Sequence, residues 1–331
     1  MKDPAIAGCI PSKAISLSDQ IFSYVLYLSS LIRMFVKHHR TYSNFFSMLL
    51  QIIRKKHPIY AILRNGKHVT LHDRRELFYF DFTQQDVEFD FDNDAVTIQS
   101  LPYVAEKKMK IKLYGAKKNG EAYLEVFLKK EYQYLPVKDR TVIDIGANIG
   151  DSAIYFALRG ANKVIALEPV PTVYKKAKKN IEINNLSDKI TLLLAGCGGN
   201  TDCLVLPNES DISSHPYQFS PGNRVPIVTL ENILKENNVP DGAIMKMDCE
   251  GYEYDIILQA PCDTLRRFSY IQIEYHSGYK NLKQKLEECN FSVSVTRPRA
   301  WFLFSSYQEA MITKYPKQKW QYLGYIYAKR N

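Results

Sequence analysis

The segment Thr141-Val-Ile-Asp-Ile-Gly-Ala-Asn-Ile-Gly-Asp151 constrains this chain most. Thr141–Ile145 is rich in β-branched residues, as a buried strand requires. Two glycines follow, Gly146 and Gly150, and an apolar helical pattern starts at Ser152. A strand that passes through a glycine turn into a helix must pack that helix back on a sheet, which commits the chain to βαβ units.

The pattern then repeats. Strands are expected at Val142–Ile145, Val164–Leu167, Ile190–Ala195, Ile244–Asp248, Tyr270–Tyr275 and Phe291–Val295, with a last one near Tyr322–Tyr327. Helices are expected near Ser152–Leu158, Thr172–Asn184, Leu230–Asn237, Tyr254–Gln259 and Leu282–Cys289. Such alternation implies an α/β fold with a largely parallel sheet and helices on both faces. Ligands of these sheets lie at the carboxyl ends of the strands, near the switch point. The stretch Asn200–Arg224, rich in Ser, Asn and Pro, reads as a substrate-side lid or a surface loop.

The first part of the chain is different. In residues 18–56, Ile21, Val25, Leu28, Ile32 and Phe35 recur at helical spacing, followed by Phe45, Met48, Leu49 and Ile52. Residues 60–135 are β-rich, with a hairpin over Ala61–Leu71 about Asn65-Gly66. Further strands are expected at Phe78–Phe82, Ala95–Ile98, Lys110–Tyr114 and Tyr123–Phe127. Three regions follow: 1–58 as a basic apolar helical segment, 59–135 as a small β-rich accessory domain, and 136–331 as the α/β domain.

Charge separates the same regions. The chain carries a net +9, and residues 1–60 hold eight basic residues against only Asp3 and Asp19. A basic, apolar segment suits an anionic surface such as a membrane leaflet, and a solvated helix face is the plainer reading. The uncharged runs Ile21–Ile32 and Thr41–Ile53 fall short of the ~20 residues that cross a bilayer. The six cysteines show no Cys-x-x-Cys spacing and no Cys/His cluster suited to zinc. Cys197, Cys249 and Cys262 read as small buried residues, which fits a reduced, cytoplasmic setting, either free or peripheral on a membrane.

Three clusters carry chemistry. In the first, Asp144 ends a strand, Asp151 opens a helix, and Glu168 ends the next strand, where a carboxylate can bind ribose hydroxyls. An acid at that position also marks dinucleotide sites. A pyrophosphate, however, wants Gly-x-Gly-x-x-Gly and a helix end free of carboxylates. Here the loop is flanked by Asp144 and Asp151, which suit a cationic ligand. The second cluster is Met245-Lys-Met-Asp-Cys-Glu-Gly-Tyr-Glu-Tyr-Asp255, with Lys246 and Asp248 on one face of a strand and Glu250 just beyond. A helix cap is the alternative role for Asp248 or Glu250. The third is Ile271-Gln-Ile-Glu-Tyr-His276, which puts Glu274 and His276 at the end of the following strand. A histidine near its ordinary pKa can take a hydroxyl proton at neutral pH.

Together these clusters resemble the FkbM family of S-adenosylmethionine-dependent methyltransferases, over roughly residues 130–295. The matching residues are Val142–Asp151, Ala166-Leu-Glu-Pro169, Lys246-Met-Asp-Cys-Glu-Gly-Tyr-Glu253 and Ile273-Glu-Tyr-His276. The resemblance implies a Rossmann-like class I methyltransferase sheet of seven strands, the last antiparallel. It also implies O-methylation of a hydroxyl on a sugar, glycan, lipid-linked saccharide or related metabolite. Asp144, Gly146, Ala147, Asn148, Gly150, Asp151 and Ser152 would then hold the methionine end of S-adenosylmethionine. Glu168 and Pro169 would hold the ribose, with Ala195 and Gly196 by the adenine.

Methyl transfer to a neutral alcohol needs a base. His276 or Asp248 is expected to take the proton, with Lys246 steadying the carboxylate and Glu250 and Glu274 completing the catalytic set. No resident metal is expected. A divalent ion on Asp248, Glu250 and Glu274 is the alternative activator. A nucleic-acid acceptor is not expected, since a carboxylate pair repels a phosphate backbone. A non-catalytic scaffold that docks on a membrane or partner is the other class of reading.

Overall fold

The computed structural model describes residues 16–54, 56, 58–71, 87–90, 93–98, 110–115, 124–205, 224–302 and 320–331. The chain forms two compact units, one of Met1–Tyr24 with Ala122–Asn331 and one of Val25–Glu121. The sequence pattern instead suggests boundaries at 58 and 135.

Helix α1 spans Leu17–Thr41 and α2 spans Phe45–Ile53. Strands β1 (Ile59–Ile62) and β2 (His68–Leu71) form the expected antiparallel hairpin. Its turn contains Gly66 at φ 84, a conformation open to glycine at no steric cost. Tyr42, Phe45 and Met48 pack on Ile59, Ala61 and Leu71, so the helical segment and the hairpin share one core. Strands β3 (Val87–Asp90), β4 (Ala95–Ile98) and β5 (Ile111–Tyr114) form an antiparallel sheet. Leu124–Leu128 is a π-helical turn where the sequence pattern suggests a strand. The strand expected at Phe78–Phe82 lies outside the described residues.

The α/β unit follows the expected alternation: β6 (Thr141–Ile145), α3 (Asp151–Leu158), β7 (Lys163–Leu167), α4 (Pro171–Ile183) and β8 (Ile190–Leu193). A side sheet comes next, with β9 (Gly196–Cys197), β10 (Asp202–Val205) and β11 (Arg224–Val228). β11 pairs antiparallel with β10 and parallel with β9, so the described ends of the Asn200–Arg224 stretch are strands and not loop. The chain continues through α5 (Leu230–Glu236), β12 (Ala243–Met247), α6 (Glu253–Gln259), α7 (Cys262–Leu265), β13 (Phe268–Tyr275), α8 (Lys280–Glu288), β14 (Phe291–Val295), β15 (Arg299–Phe302) and β16 (Trp320–Arg330).

The main sheet runs β14-β16-β13-β12-β6-β7-β8, with β15 on the side of β16. Pairs from β8 to β13 are parallel, and β16 is antiparallel to both of its neighbours. This is the expected seven-stranded, mostly parallel sheet, with the last strand inserted between its neighbours and reversed.

Alternation along the strands sorts residues between the two faces. Ile143, Ile145, Met245, Met247, Ile271 and Ile273 join a core with Ile257, Leu282 and Leu286. On the opposite face, parallel register aligns Asp144 with Lys246 and Lys246 with Gln272. These three polar residues are 0%, 2% and 1% exposed. A strand buried on both faces normally reads as continuous apolar sequence, so this row is maintained at a cost in stability.

One cysteine expectation fails. Cys262, at the start of α7, and Cys289, just past α8, are joined by a disulfide. They are 27 residues apart, and only the packing of the two helices brings them together. Cys197 is buried, as expected.

Candidate active site

The site forms where β6, β7, β12 and β13 end. Asp144 Oδ2 accepts a hydrogen bond from Ser152 Oγ at 2.6 Å. Asp144 Oδ1 lies 3.1 Å from Lys246 Nζ. Lys246 also donates to the Gly146 carbonyl at 2.7 Å. Burial alone would neutralise Lys246, but the carboxylates of Asp144 and Asp248 outweigh it and push the ammonium pKa up. Lys246 is expected to steady Asp248; its directed contacts are instead to Asp144 and Gly146, because strand register sets it opposite Asp144.

The glycine loop is shaped by packing. Gly146 and Ala147 both donate to the Leu167 carbonyl, at 3.1 and 2.9 Å. A Cβ on Gly146 would sit 1.8 Å from the Asp248 carbonyl oxygen, so the loop closes directly on the end of β12. A Cβ on Gly150 would meet Ala177 of α4 at 3.3 Å. Gly150 therefore allows close packing of the loop on α4. Asn180, fully buried on α4, donates to the Ile149 carbonyl at 2.8 Å and ties the loop down from its other side.

Glu168 sits beside this loop. Its Oε2 accepts the Asn148 N–H at 3.0 Å and its Oε1 accepts the Val170 N–H at 2.9 Å. Burial raises its pKa to about 7. Asp151, buried in the first turn of α3, is likewise raised by burial to about 7. Pro169 and Gly196 approach each other, with a Cβ on Gly196 placed 3.8 Å from that of Pro169. Ala195 is buried beside Gly196 at the end of β8. The residues expected around the cofactor thus follow the carboxyl ends of β6, β7 and β8, with Asp151 and Ser152 in the first turn of α3 and Gly196 in β9.

The second half of the site is acidic. The Asp248 N–H donates to Ile145 O at 3.1 Å, which holds the end of β12 against β6. Glu253 is fully buried and accepts from both the His276 backbone N–H (3.0 Å) and the ring Nδ1 (2.9 Å). This turns Nε2 toward Glu250 Oε2 at 3.5 Å and Asp248 Oδ1 at 3.8 Å. Burial disfavours charge on His276, but Glu253 and Glu250 prevail and raise its pKa well above the usual value. These carboxylates favour the protonated ring over the neutral one that a His276 base needs. Glu274 is half-buried; burial and then Asp248 push its carboxyl up. One ligand atom each from Asp248, Glu274 and His276 lies within 4.8 Å of the others. Glu250 does not belong to that group, although the expected ion-binding set includes it.

Several residues in this region are absent from the expected set. Gln272 Nε2 donates to Glu131 O at 3.3 Å, while Gln272 Oε1 and Glu131 Oε1 are buried with no hydrogen-bond partner among the described residues. Burial and Glu125 raise the Glu131 carboxyl to about 8. The Tyr132 ring lies 5.7 Å from Lys246 Nζ. Gln272 is visible in the sequence as the residue two before Glu274. Glu131 and Tyr132 precede β6 in a stretch with no periodic pattern, so only the fold reveals them. Glu253 stands inside the matched motif, and its partner His276 is 23 residues away.

Residues 144–293 match the family model described as Methyltransferase FkbM domain. Ribosomal protein L11 methyltransferase of Carboxydothermus hydrogenoformans is 41% identical over 70 residues, 20% of this chain and 23% of that protein. Protein arginine N-methyltransferase 1 of Saccharomyces cerevisiae is 39% identical over 56 residues, 17% of this chain and 16% of that protein. The chain thus spans less than a quarter of the length of these two curated relatives. Among solved structures, M. capricolum TrmK in complex with S-adenosyl-homocysteine aligns at 14% identity and TM-score 0.38, covering 62% of this chain and 67% of that one. Precorrin-6y C5,15-methyltransferase from Geobacter metallireducens aligns at 14% identity and TM-score 0.35, covering 61% and 86%.

Proposed function

Since residues 144–293 are a methyltransferase domain of the FkbM family, with S-adenosylmethionine as cofactor, we propose that the chain methylates a hydroxyl group. The acceptor is a sugar, glycan, lipid-linked saccharide or related metabolite, met in the cytoplasm or at its membrane boundary. The observation that carries this reading is the grouping of Asp248, Glu274 and His276 at the strand ends next to the Asp144–Glu168 loop.

The residues present fit the cofactor. Each Glu168 oxygen accepts one backbone N–H and keeps a lone pair for a ribose hydroxyl. Asp144, Asp151 and Glu168 line the loop with carboxylates, which favour a cationic ligand over a phosphate. Bound there, S-adenosylmethionine supplies an activated methyl group. The chain has then to hold the acceptor oxygen in line and remove its proton.

Asp248 takes that proton in this reading. Neighbouring carboxylates favour the protonated form of His276, and the ring's Nε2 faces Asp248 and Glu250. The Glu253–His276 pair positions the base without exchanging the proton itself. Glu131 and Gln272 offer buried acceptor oxygens to further hydroxyls of the substrate. Asp248→Asn is expected to lower turnover ~100-fold or more, with S-adenosylhomocysteine binding retained. The acceptor comes from incubating the protein with labelled cofactor and an extract of glycans and polar lipids. An unchanged rate in Asp248→Asn sinks the assignment.

A second reading rests on the same three residues, whose spacing also suits a shared divalent ion. Chelation separates the two: full activity in metal-free protein excludes the ion, and activity restored only by added metal excludes unaided Asp248.

A further inference from the structure

Among the described residues, large apolar side chains lie exposed along the first two helices. In α1, Val25, Leu28, Ile32 and Phe35 are exposed, and the stripe runs back through Ile21 to Leu17 at the same spacing of three and four. At 3.6 residues per turn they fall within an arc of about 80°. Five of these six are more than half exposed. The buried side of the same helix is polar: Asp19, Ser23 and His38 are each less than 9% exposed. Those buried residues lie towards the two ends of the helix, and Leu31, Met34 and Val36, off the stripe, are exposed as well, so the exposed apolar surface is wider than the stripe. In α2, Phe45 and Met48 enter the core while Phe46, Leu50 and Ile53 are exposed on the other side. A surface this apolar signals an interaction site.

Charge identifies the occupant. Between Leu17 and Lys56 the chain carries Arg33, Lys37, Arg40, Arg54, Lys55 and Lys56, and its only acid is Asp19. Asp19 is itself buried, near Tyr279 Oη (3.2 Å) and Arg297 (4.0 Å). A second copy docked on this face would bring like charges together. An anionic lipid surface meets both needs, taking the apolar stripe into its acyl boundary and the basic residues at its headgroups. Among the described residues no helix is long and apolar enough to cross a membrane, so α1, about 37 Å long at 1.5 Å per residue, fits in the plane of the surface.

We propose that α1 and α2 form an interfacial membrane-binding surface selective for anionic lipid. This goes beyond methyl transfer and stands without it. The test is co-sedimentation of the full chain with phosphatidylcholine vesicles, with and without about 30% phosphatidylglycerol. Expected is binding to the anionic vesicles, at least about tenfold weaker to the neutral ones and weakened by salt. Leu28→Glu with Ile32→Glu should lower binding about tenfold or more, while the melting temperature and S-adenosylhomocysteine binding stay unchanged. Arg33→Glu with Arg40→Glu should remove the preference for anionic lipid. Absence of binding to either vesicle overturns the proposal. So does a wild-type dimer, seen by analytical ultracentrifugation, that the Leu28→Glu/Ile32→Glu protein dissolves with vesicle binding intact.

Discussion

At the residue scale, the site is a set of buried charges that hold one another. Asp144 is neutralised by Lys246, and Glu253 by His276, each pair withdrawn from solvent. Removing one member of a buried pair typically costs about 3–5 kcal/mol, because the other charge is left uncompensated. Glu253→Gln is expected to destabilise the protein by that order. The sign with pH follows from both partners. Burial acts to raise Glu253, but His276 brings it below its ordinary 4.5, so its contribution is present above about 4.5 and lost as pH falls through the folded value. His276 is raised above 6.5, so its contribution is full below about 6.5 and lost as pH climbs through the folded value. The gap between wild type and Glu253→Gln in urea titrations should therefore be widest around pH 4.5–6.5 and narrow towards both extremes. A gap independent of pH would mean that the pair is not ionised.

At the scale of elements, two glycines with the same backbone geometry should behave differently. Gly66 and Gly146 have φ of 84 and 77. A Cβ on Gly66 meets open space, so Gly66→Ala should cost only about 1–2 kcal/mol of left-handed strain and leave cofactor binding intact. A Cβ on Gly146 meets the Asp248 carbonyl, so Gly146→Ala must part the loop from β12. That separation moves Asp144 and Asp248 relative to each other, and S-adenosylhomocysteine binding by calorimetry should weaken about 100-fold or more. Equal effects of the two substitutions would show that the contact at Asp248 yields easily. The repeated strand and helix pattern was legible because strands and helices differ in period, and α5 adds a capping signal in Thr229, which accepts the Asn232 N–H. The π-helical turn at Leu124–Leu128 was not, since a short apolar run has no period that separates strand from helix.

For the whole molecule, two compact units predict two unfolding events. Scanning calorimetry should resolve two transitions, and S-adenosylhomocysteine at about 100 times its Kd should stabilise only one of them, by about 2.7 kcal/mol. A single transition shifted as a whole would mean that the units unfold together. The sequence by itself determined the alternation of the α/β unit, the glycine loop and the acids at its strand ends, because period, turn chemistry and motif spacing are local properties. It also showed the basic character of the first helices. Only the tertiary structure decided who partners whom. Parallel register turned Lys246 from Asp248 to Asp144, the packing of α6 on the end of β13 paired His276 with Glu253, and helix packing joined Cys262 to Cys289. Each of these pairs is far apart in the chain. Electrostatics and burial act through space, and no local pattern encodes which distant residue will share a buried position. The loop at Thr141–Asp151 was thus readable from its residues as a glycine turn between β6 and α3, whereas the contacts its glycines make with β12 and α4 came only with the fold.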